Sequence, residues 1–547
     1  MKKKMIPLLL CALFASGSFV SCAEEGRTKV VASYVETNEH GAPTLFVDGK
    51  PFLYTAVEMR SEAYFNCGDI SDLDAYEKYF QAASDLGVNV VTCSLDWRDI
   101  EPTKDQYDFS HIRTLLSFAY QYGLKLELLW YSTCMCAYSQ EYQLPDYIIK
   151  DEATYPRYSF LNGKMYSEKQ AIYYGKQYLF DFDDKDLMNR ETLVIENLMD
   201  YIYNWEEAYG FPKTLIGVQV YNEVDLLLDE TRQESYGFTF ENAGVTKEKV
   251  WSELLTGINN AGRAFKESDY VVYTRTNFTS IKSGDYAGRT EAQRFKEMYE
   301  LKYIDSVGMD PYVYEPSALT ALIRNSQSIM QGNFTHIAEN GGEYSNTDAL
   351  ILLSLSQSCG YTVYELARAK GFPDMNNNQG ILDVNLQDRY ESSTGNYTSY
   401  TTDNYTQRAR SVFKALKQIE NAVASAKAED FAVFNVLSPT ARENYSQTIC
   451  TSNVSIDFST NDSAVGFAIE YNGELFVFAT KTASMSFSSA TMAQANVAET
   501  NADGETVWSQ TSAFENGVLT MEGGRLYRLK IEKNGNVEST ANQFKGY

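Results

Sequence analysis

Beyond residue 50 the chain alternates short apolar runs with stretches of helical period. The apolar runs lie at 52–57, 88–94, 125–130, 215–221, 270–274, 304–309, 335–338 and 361–364. Each has the length of a strand rather than of a packed helix, and several are rich in β-branched residues. Between most of them apolar residues recur three and four apart, as at 73–86, 110–122, 188–209 and 246–266. That spacing is the stripe of an amphipathic helix laid on a sheet. Eight strands joined by helical crossovers predict an α/β fold closed as a (β/α)8 TIM barrel. An open doubly wound sheet is the alternative, but no Gly-rich phosphate-binding turn follows the first strand.

The pattern differs at both ends. Residues 30–57 read as short strands with a turn at Asp48-Gly49-Lys50-Pro51. After a Ser-, Thr-, Asn- and Tyr-rich stretch at 393–406 and a helix at 408–427, the chain turns to strands such as Val465-Gly466-Phe467-Ala468-Ile469-Glu470-Tyr471. Turn pairs at Asn472-Gly473, Asp503-Gly504 and Asn516-Gly517 punctuate them. The expected organisation is a leader at 1–21, a tether with N-terminal strands at 22–50, the barrel at 51–427 and a C-terminal β-sandwich at 428–540.

Two of the apolar runs stop on a glutamate. One is Leu215-Ile216-Gly217-Val218-Gln219-Val220-Tyr221-Asn222-Glu223; the other is Phe334-Thr335-His336-Ile337-Ala338-Glu339-Asn340. The C-terminal ends of barrel strands are where this architecture keeps its chemistry. Hydrolysis of a glycosidic bond needs such a pair of carboxyls, one protonated and one ionised. In a partly desolvated cleft the two push each other's pKa values apart. Glu343, four residues beyond Glu339, takes its place if the strand register is shifted. His336, three residues before Glu339, turns away from the axis under strict strand alternation and reads as packing.

The segment Trp97-Arg98-Asp99-Ile100-Glu101-Pro102 through Tyr107-Asp108-Phe109 resembles the second strand and loop of glycoside hydrolase families 42 and 35, the clan A β-galactosidases. Asp105-Gln106 stand where those families have a Gly before Tyr-Asp-Phe. Leu144-Pro145-Asp146-Tyr147 is similar to the motif after their third strand, and Ile337-Ala338-Glu339-Asn340-Gly341 to the nucleophile motif of family 1. The resemblance covers roughly 50–345 at the level of motifs. It implies Glu223 as proton donor and Glu339 as nucleophile. It also implies Asn222 on the sugar 2-OH, Tyr312 as a hydrogen-bond donor to Glu339, and Arg60, after the first strand, among sugar contacts. Trp97 and Trp130, at ends of the second and third strands, are candidates to stack on a sugar ring or to pack the core. Glu365, at the end of the eighth, is a candidate for a sugar hydroxyl or for a salt bridge. Glu101 and Asp108 read as a structural clamp.

Composition narrows the substrate. A net charge of −26 argues against nucleic acid and polyanionic glycans, because like charges raise the cost of encounter. A neutral oligosaccharide or polysaccharide fits. Three histidines make a Ser-His-Asp hydrolase or a multi-histidine zinc site a poor fit. No cofactor or metal is expected; the acidic run Asp181–Asp186 reads as helix capping. Besides Cys11 and Cys22, the cysteines are scattered and read mostly as small buried hydrophobes.

At the N-terminus, Met1-Lys2-Lys3-Lys4 precedes a short apolar run, the form of a secretory leader. Phe19-Val20-Ser21-Cys22 resembles a bacterial lipobox, followed by Glu24 and Glu25 as in Bacteroidetes surface lipoproteins. The expectation is lipidation at Cys22 and an outer-membrane, surface-exposed location. The function expected is a retaining, β-galactosidase-like glycoside hydrolase. The alternatives are an endo-acting glucanase or mannanase and a non-catalytic surface glycan-binding protein.

Overall fold

The computed structural model describes residues 27–59, 73–135, 143–161, 177–228, 240, 244–279, 289–370, 380–385, 404–436, 445–487, 490–501 and 504–533. Eight strand–helix units follow one another. They are β1 Thr55–Met59 with α1 Leu73–Leu86, β2 Val90–Asp96 with α2 Ser110–Gln121, β3 Lys125–Met135 with α3 Lys185–Ala208, and β4 Leu215–Asn222 with α4 Lys247–Lys266. Then come β5 Tyr273–Thr279 with α5 Glu291–Tyr299, β6 Ser306–Asp310 with α6 Pro316–Ile329, β7 His336–Gly341 with α7 Thr347–Leu355, and β8 Gly360–Tyr364 with α8 Asn404–Gln418. The strands pair in parallel in chain order and close, β8 on β1, into a TIM barrel.

Alternation along the strands sorts the side chains. Val57, Val91, Leu128, Val218, Val307, Ile337 and Val363 belong to the apolar cluster shared with the surrounding helices. Residues of the other parity fill the interior, and many are polar. At the N-terminal end of the barrel Ala56, Val90, Ile216 and Tyr273 pack with Leu45 and Val47 of a hairpin, Ser33–Thr37 on Pro43–Val47. This hairpin plugs the bottom of the barrel and leaves the opposite mouth for chemistry.

Above the plug Arg275 spans the interior. Its guanidinium donates to Glu127 and Gln219, and the Tyr54 hydroxyl also donates to Glu127. All four are essentially inaccessible to solvent. A buried ion pair holds only where such neighbours satisfy its remaining donors and acceptors.

Strand five differs from the sequence-based expectation of 270–274. Tyr270–Val271 pair with Val30–Val31 in a small separate sheet, and the barrel strand runs on to Thr279. Its polar residues Arg275 and Asn277 break the apolar run because they point into a polar lumen.

The C-terminal part is a β-sandwich. A six-stranded antiparallel sheet built around Ala464–Tyr471 and Glu474–Ala479 faces a five-stranded sheet that includes Ser455–Thr460 and Ala483–Phe487. Phe434, Phe458, Val477 and Met485 lie between them. The outer face of the larger sheet carries Phe467, Ile469 and Phe478, which join the same apolar cluster as α7 and α8. Helix α7 is therefore buried on every side, as an apolar run such as Ala349-Leu350-Ile351-Leu352-Leu353 requires.

Candidate active site

Glu223 follows β4 and Glu339 lies in β7, both at the C-terminal mouth. Each strand is irregular there. The register of β4 on β3 shifts between Val220 and Asn222, and that of β7 on β8 between Ile337 and Asn340. At the first shift the extra residues lie on β3; at the second, β7 carries an added residue relative to β8, a bulge that re-aims the side chains beyond it. For this reason His336 does not turn outward as alternation predicts. Its ring meets Tyr54 edge-on at 4.3 Å and its Nε2 lies 2.9 Å from the Thr362 hydroxyl, while Glu339 still reaches the lumen side. Burial, with Arg275 nearby, pushes the His336 imidazole well below its usual range and keeps it neutral. The expectation that it serves as packing fits its complete burial.

Backbone conformation concentrates at the same level. Tyr221, Glu223 and Tyr312 take φ values of 63°, 45° and 45°, a left-handed region that side chains rarely adopt outside functional turns. Tyr221 is held from outside the barrel. Its hydroxyl donates at 2.7 Å to Glu191 of α3, which also accepts from Trp130 Nε1 at 2.9 Å and from Ser132. On the inner side Asn222 Oδ1 accepts from Gln219 Nε2 at 2.9 Å and Asn277 Nδ2 at 2.8 Å. The Glu223 amide donates to Asn277 Oδ1 at 3.1 Å.

Glu339 accepts a hydrogen bond from the Tyr312 hydroxyl. The Tyr312 loop is fastened to β7 by Asn340, which accepts from the Val313 amide at 2.8 Å and donates to its carbonyl at 3.1 Å. Tyr364 packs edge-on against Tyr312 at 5.6 Å. Burial and then Glu339 push the Tyr312 phenol far up, so it stays a donor. Asp310, at the end of β6, is fully buried. Burial raises its carboxyl well above the usual range, with Glu339 and then Glu223 adding to the effect. Both glutamates thus act on Asp310 and on Tyr312: they converge on one side of the lumen.

Other expected site residues fall elsewhere. Trp97 and Trp130 are corrections: both are completely buried, with Trp97 Nε1 donating to Glu101 at 3.2 Å and Trp130 Nε1 to Glu191. Trp130 has the parity of Leu128 and so faces the helices, where it meets Phe265 edge-on at 6.1 Å. These rings pack the core and do not stack on a sugar. Glu365 is buried beside the mouth, 1 % exposed, and its carbonyl accepts from the Ile381 amide. Arg60 and Cys22 lie outside the described residues. Glu101 is a clamp, accepting from Trp97, the Asp105 amide and Arg190. Asp184 caps α3 by accepting from the amides of Asp186 and Leu187. Asp181, Asp183 and Glu253 form an acidic group, but Lys249 Nζ sits between Asp183 and Glu253 at 2.8 Å from each. An ammonium already supplies the positive charge there.

Sequence reasoning missed Asn277, Gln219 and Asp310. The available signal was polar residues at alternate positions, Arg275 and Asn277, within a run otherwise fit for a strand.

A family model described as a domain of unknown function (DUF4978) matches residues 254–440, which take in Asp310, Tyr312 and Glu339. No curated protein matches the chain. Several solved structures are similar in fold. A family 5 subfamily 18 glycoside hydrolase variant of Bifidobacterium longum, in complex with Manβ1-4GlcNAc, shares 13% identity over 67% of this chain and 78% of its own, with a TM-score of 0.44. A family 39 glycoside hydrolase of Bacteroides cellulosilyticus shares 11% over 90% and 84%, with 0.43. A β-glucosidase of Pyrococcus furiosus shares 11% over 68% and 97%, with 0.43. At these identities and TM-scores the likeness assigns neither a family nor a substrate to this chain.

Proposed function

We propose that this chain is a retaining glycoside hydrolase that cleaves a β-linkage in a neutral oligosaccharide or polysaccharide by double displacement. The observation that carries the reading is the convergence of Glu223 and Glu339 at the barrel mouth, with the Tyr312 hydroxyl donating to Glu339.

The roles follow from surroundings. A carboxylate that accepts a phenolic hydrogen bond is favoured as the anion, so Glu339 is the nucleophile. It attacks the anomeric carbon as the glycosidic bond breaks, and Glu223 delivers its proton to the departing oxygen. In the second step Glu223 takes a proton from water. The water oxygen displaces Glu339 from the glycosyl-enzyme and releases the sugar with its original configuration. The Oδ1 of Asn222 is occupied by two donors, which leaves its Nδ2 to meet the sugar 2-OH, a bond that strengthens in the transition state.

Within this class a β-galactosidase-like specificity is proposed on the resemblance of the Trp97–Phe109 segment. Export through the leader with lipidation at Cys22, and hence an outer-membrane location, belongs to the same proposal. Loss of lipid labelling in Cys22→Ser would test it.

Hydrolysis of a panel of aryl β-glycosides by wild type, Glu223→Gln and Glu339→Gln tests the activity. Turnover of one glycon is expected, lowered about 10²–10⁴-fold by Glu223→Gln and at least about 10³-fold by Glu339→Gln. Turnover that survives both substitutions would refute the assignment.

A further inference from the structure

The proposed mechanism uses two glutamates, yet a third carboxyl stands between them with no role assigned. Asp310 is fully buried at the end of β6. Its Oδ2 accepts from Asn277 Nδ2 at 2.5 Å, and among the described residues its Oδ1 has no hydrogen-bond partner. Asn277 is also fully buried, and every polar atom of its side chain is engaged. One amide hydrogen goes to Asp310, the other to Asn222 Oδ1 at 2.8 Å, and its Oδ1 accepts from the Glu223 amide at 3.1 Å. One side chain thus joins Asp310 to the asparagine proposed for the sugar 2-OH and to the backbone of the proposed acid/base.

The charges around Asp310 decide its protonation. Glu339 faces it from β7, Glu223 from β4, Glu58 from β1 and Tyr312 from its own loop; Arg275 faces it from β5. Arg275 is already committed to Glu127 and Gln219. A further anion enclosed among carboxylates, with one amide donor, is costlier than a neutral acid. The direction of its pKa, well above the usual carboxylate range, agrees. A neutral carboxyl has one hydroxyl to give. With Oδ2 accepting from Asn277, that hydroxyl belongs to Oδ1, whose want of a partner among the described residues leaves it for water or substrate.

We propose that Asp310 is a positioning residue that enters the site as a neutral acid, anchoring Asn277 through Oδ2 so that Asn277 holds Asn222 and the Glu223 backbone in place. The catalytic part of this inference rests on the hydrolase reading. The protonation part does not.

The test uses the full chain as wild type, Asp310→Asn, Asp310→Ala, Asn277→Ala and the double alanine variant, with two readouts. The first is the melting temperature from about pH 4 to about pH 8. A folded-state pKa raised above the unfolded value gives stability that is present at low pH and lost as pH rises. The amide introduced by Asp310→Asn cannot ionise, so the lead of that variant over wild type should widen with pH. A lead that is flat or shrinking overturns the neutral-acid assignment.

The second readout is steady-state kinetics on the aryl glycoside. Asp310→Ala and Asn277→Ala should each lower kcat about 10- to 100-fold, with KM within about 3-fold. The double variant should lose no more than the worse single one, since the two act as a unit. Asp310→Asn, which keeps an acceptor for Asn277 and a donor in place of the hydroxyl, should recover about 10-fold over Asp310→Ala. Additive losses, or an asparagine no better than alanine, overturn the positioning role. A wild type that hydrolyses nothing defeats the hydrolase reading and the positioning role with it, while the melting series still decides the proton.

Discussion

At the scale of single residues, the Tyr312 hydroxyl donates to Glu339, a bond that favours the carboxylate the proposed mechanism requires. Tyr312→Phe keeps the ring against Tyr364 and removes only the donor. A hydrogen bond to a charged group contributes about 1.5–3 kcal/mol, so kcat should fall about 10- to 100-fold while the melting temperature hardly moves. Steady-state kinetics beside a thermal melt would check it. Asp225, two residues beyond Glu223, makes a second residue-level case. It is fully buried, and burial pushes its carboxyl up to about 7, with Arg294 working in the opposite direction. The folded state therefore keeps a proton that the unfolded chain has released above the ordinary carboxylate range. Stability from this group is present at low pH and fades as pH rises through about 7. Asp225→Asn should gain on wild type in melting temperature between about pH 4 and about pH 7, then hold its lead.

At the scale of elements, the irregular strand ends place the candidate site. The register shifts fall between Val220 and Asn222, where β4 meets β3, and between Ile337 and Asn340, where β7 meets β8, and the left-handed Tyr221 and Glu223 lie at the first. In the sandwich a glycine has the opposite task, permitting close packing within regular strand. A Cβ added at Gly466 would run into the Phe434 ring and the Phe478 carbonyl, neither of which has room to move. Gly466→Ala should cost about 1–3 kcal/mol or more, read as a lowered denaturant midpoint.

Much of this architecture was legible from periodicity. Seven of the eight barrel strands, α1 and the glutamates that close two apolar runs all follow from it. Strand five was not, because a polar lumen puts Arg275 and Asn277 where a buried strand is expected to be apolar. Neither was the direction of His336, since a bulge carries no period of its own. The tryptophans at the ends of β2 and β3 misled for a related reason: proximity to a strand end does not fix parity, and Trp130 has the outward one. Asn277 and Asp310 are each ordinary in sequence, and their meaning lies in the contacts they share across β4, β5 and β6.

At the scale of the whole molecule, the barrel and the sandwich share a core. Phe431, Phe467, Ile469 and Phe478 of the sandwich belong to one apolar cluster with Leu350 and Leu352 of α7 and with Val412 and Phe413 of α8. Separating the two parts would expose this surface to water, at roughly 25 cal/mol per Å². A single calorimetric transition is expected, with barrel and sandwich unfolding together; two resolved transitions would show that the shared cluster does not couple them.

In the proposed double displacement Glu339 becomes covalently bonded to the sugar during turnover. Trapping measures this most directly: the full chain is incubated with the 2-deoxy-2-fluoro β-glycosyl fluoride of the glycon it hydrolyses, and the labelled peptide is located by mass. One glycosyl adduct on Glu339, absent in Glu339→Gln, is the expected result. An adduct on Glu343 or another residue, or turnover that releases inverted sugar with no adduct, would contradict it.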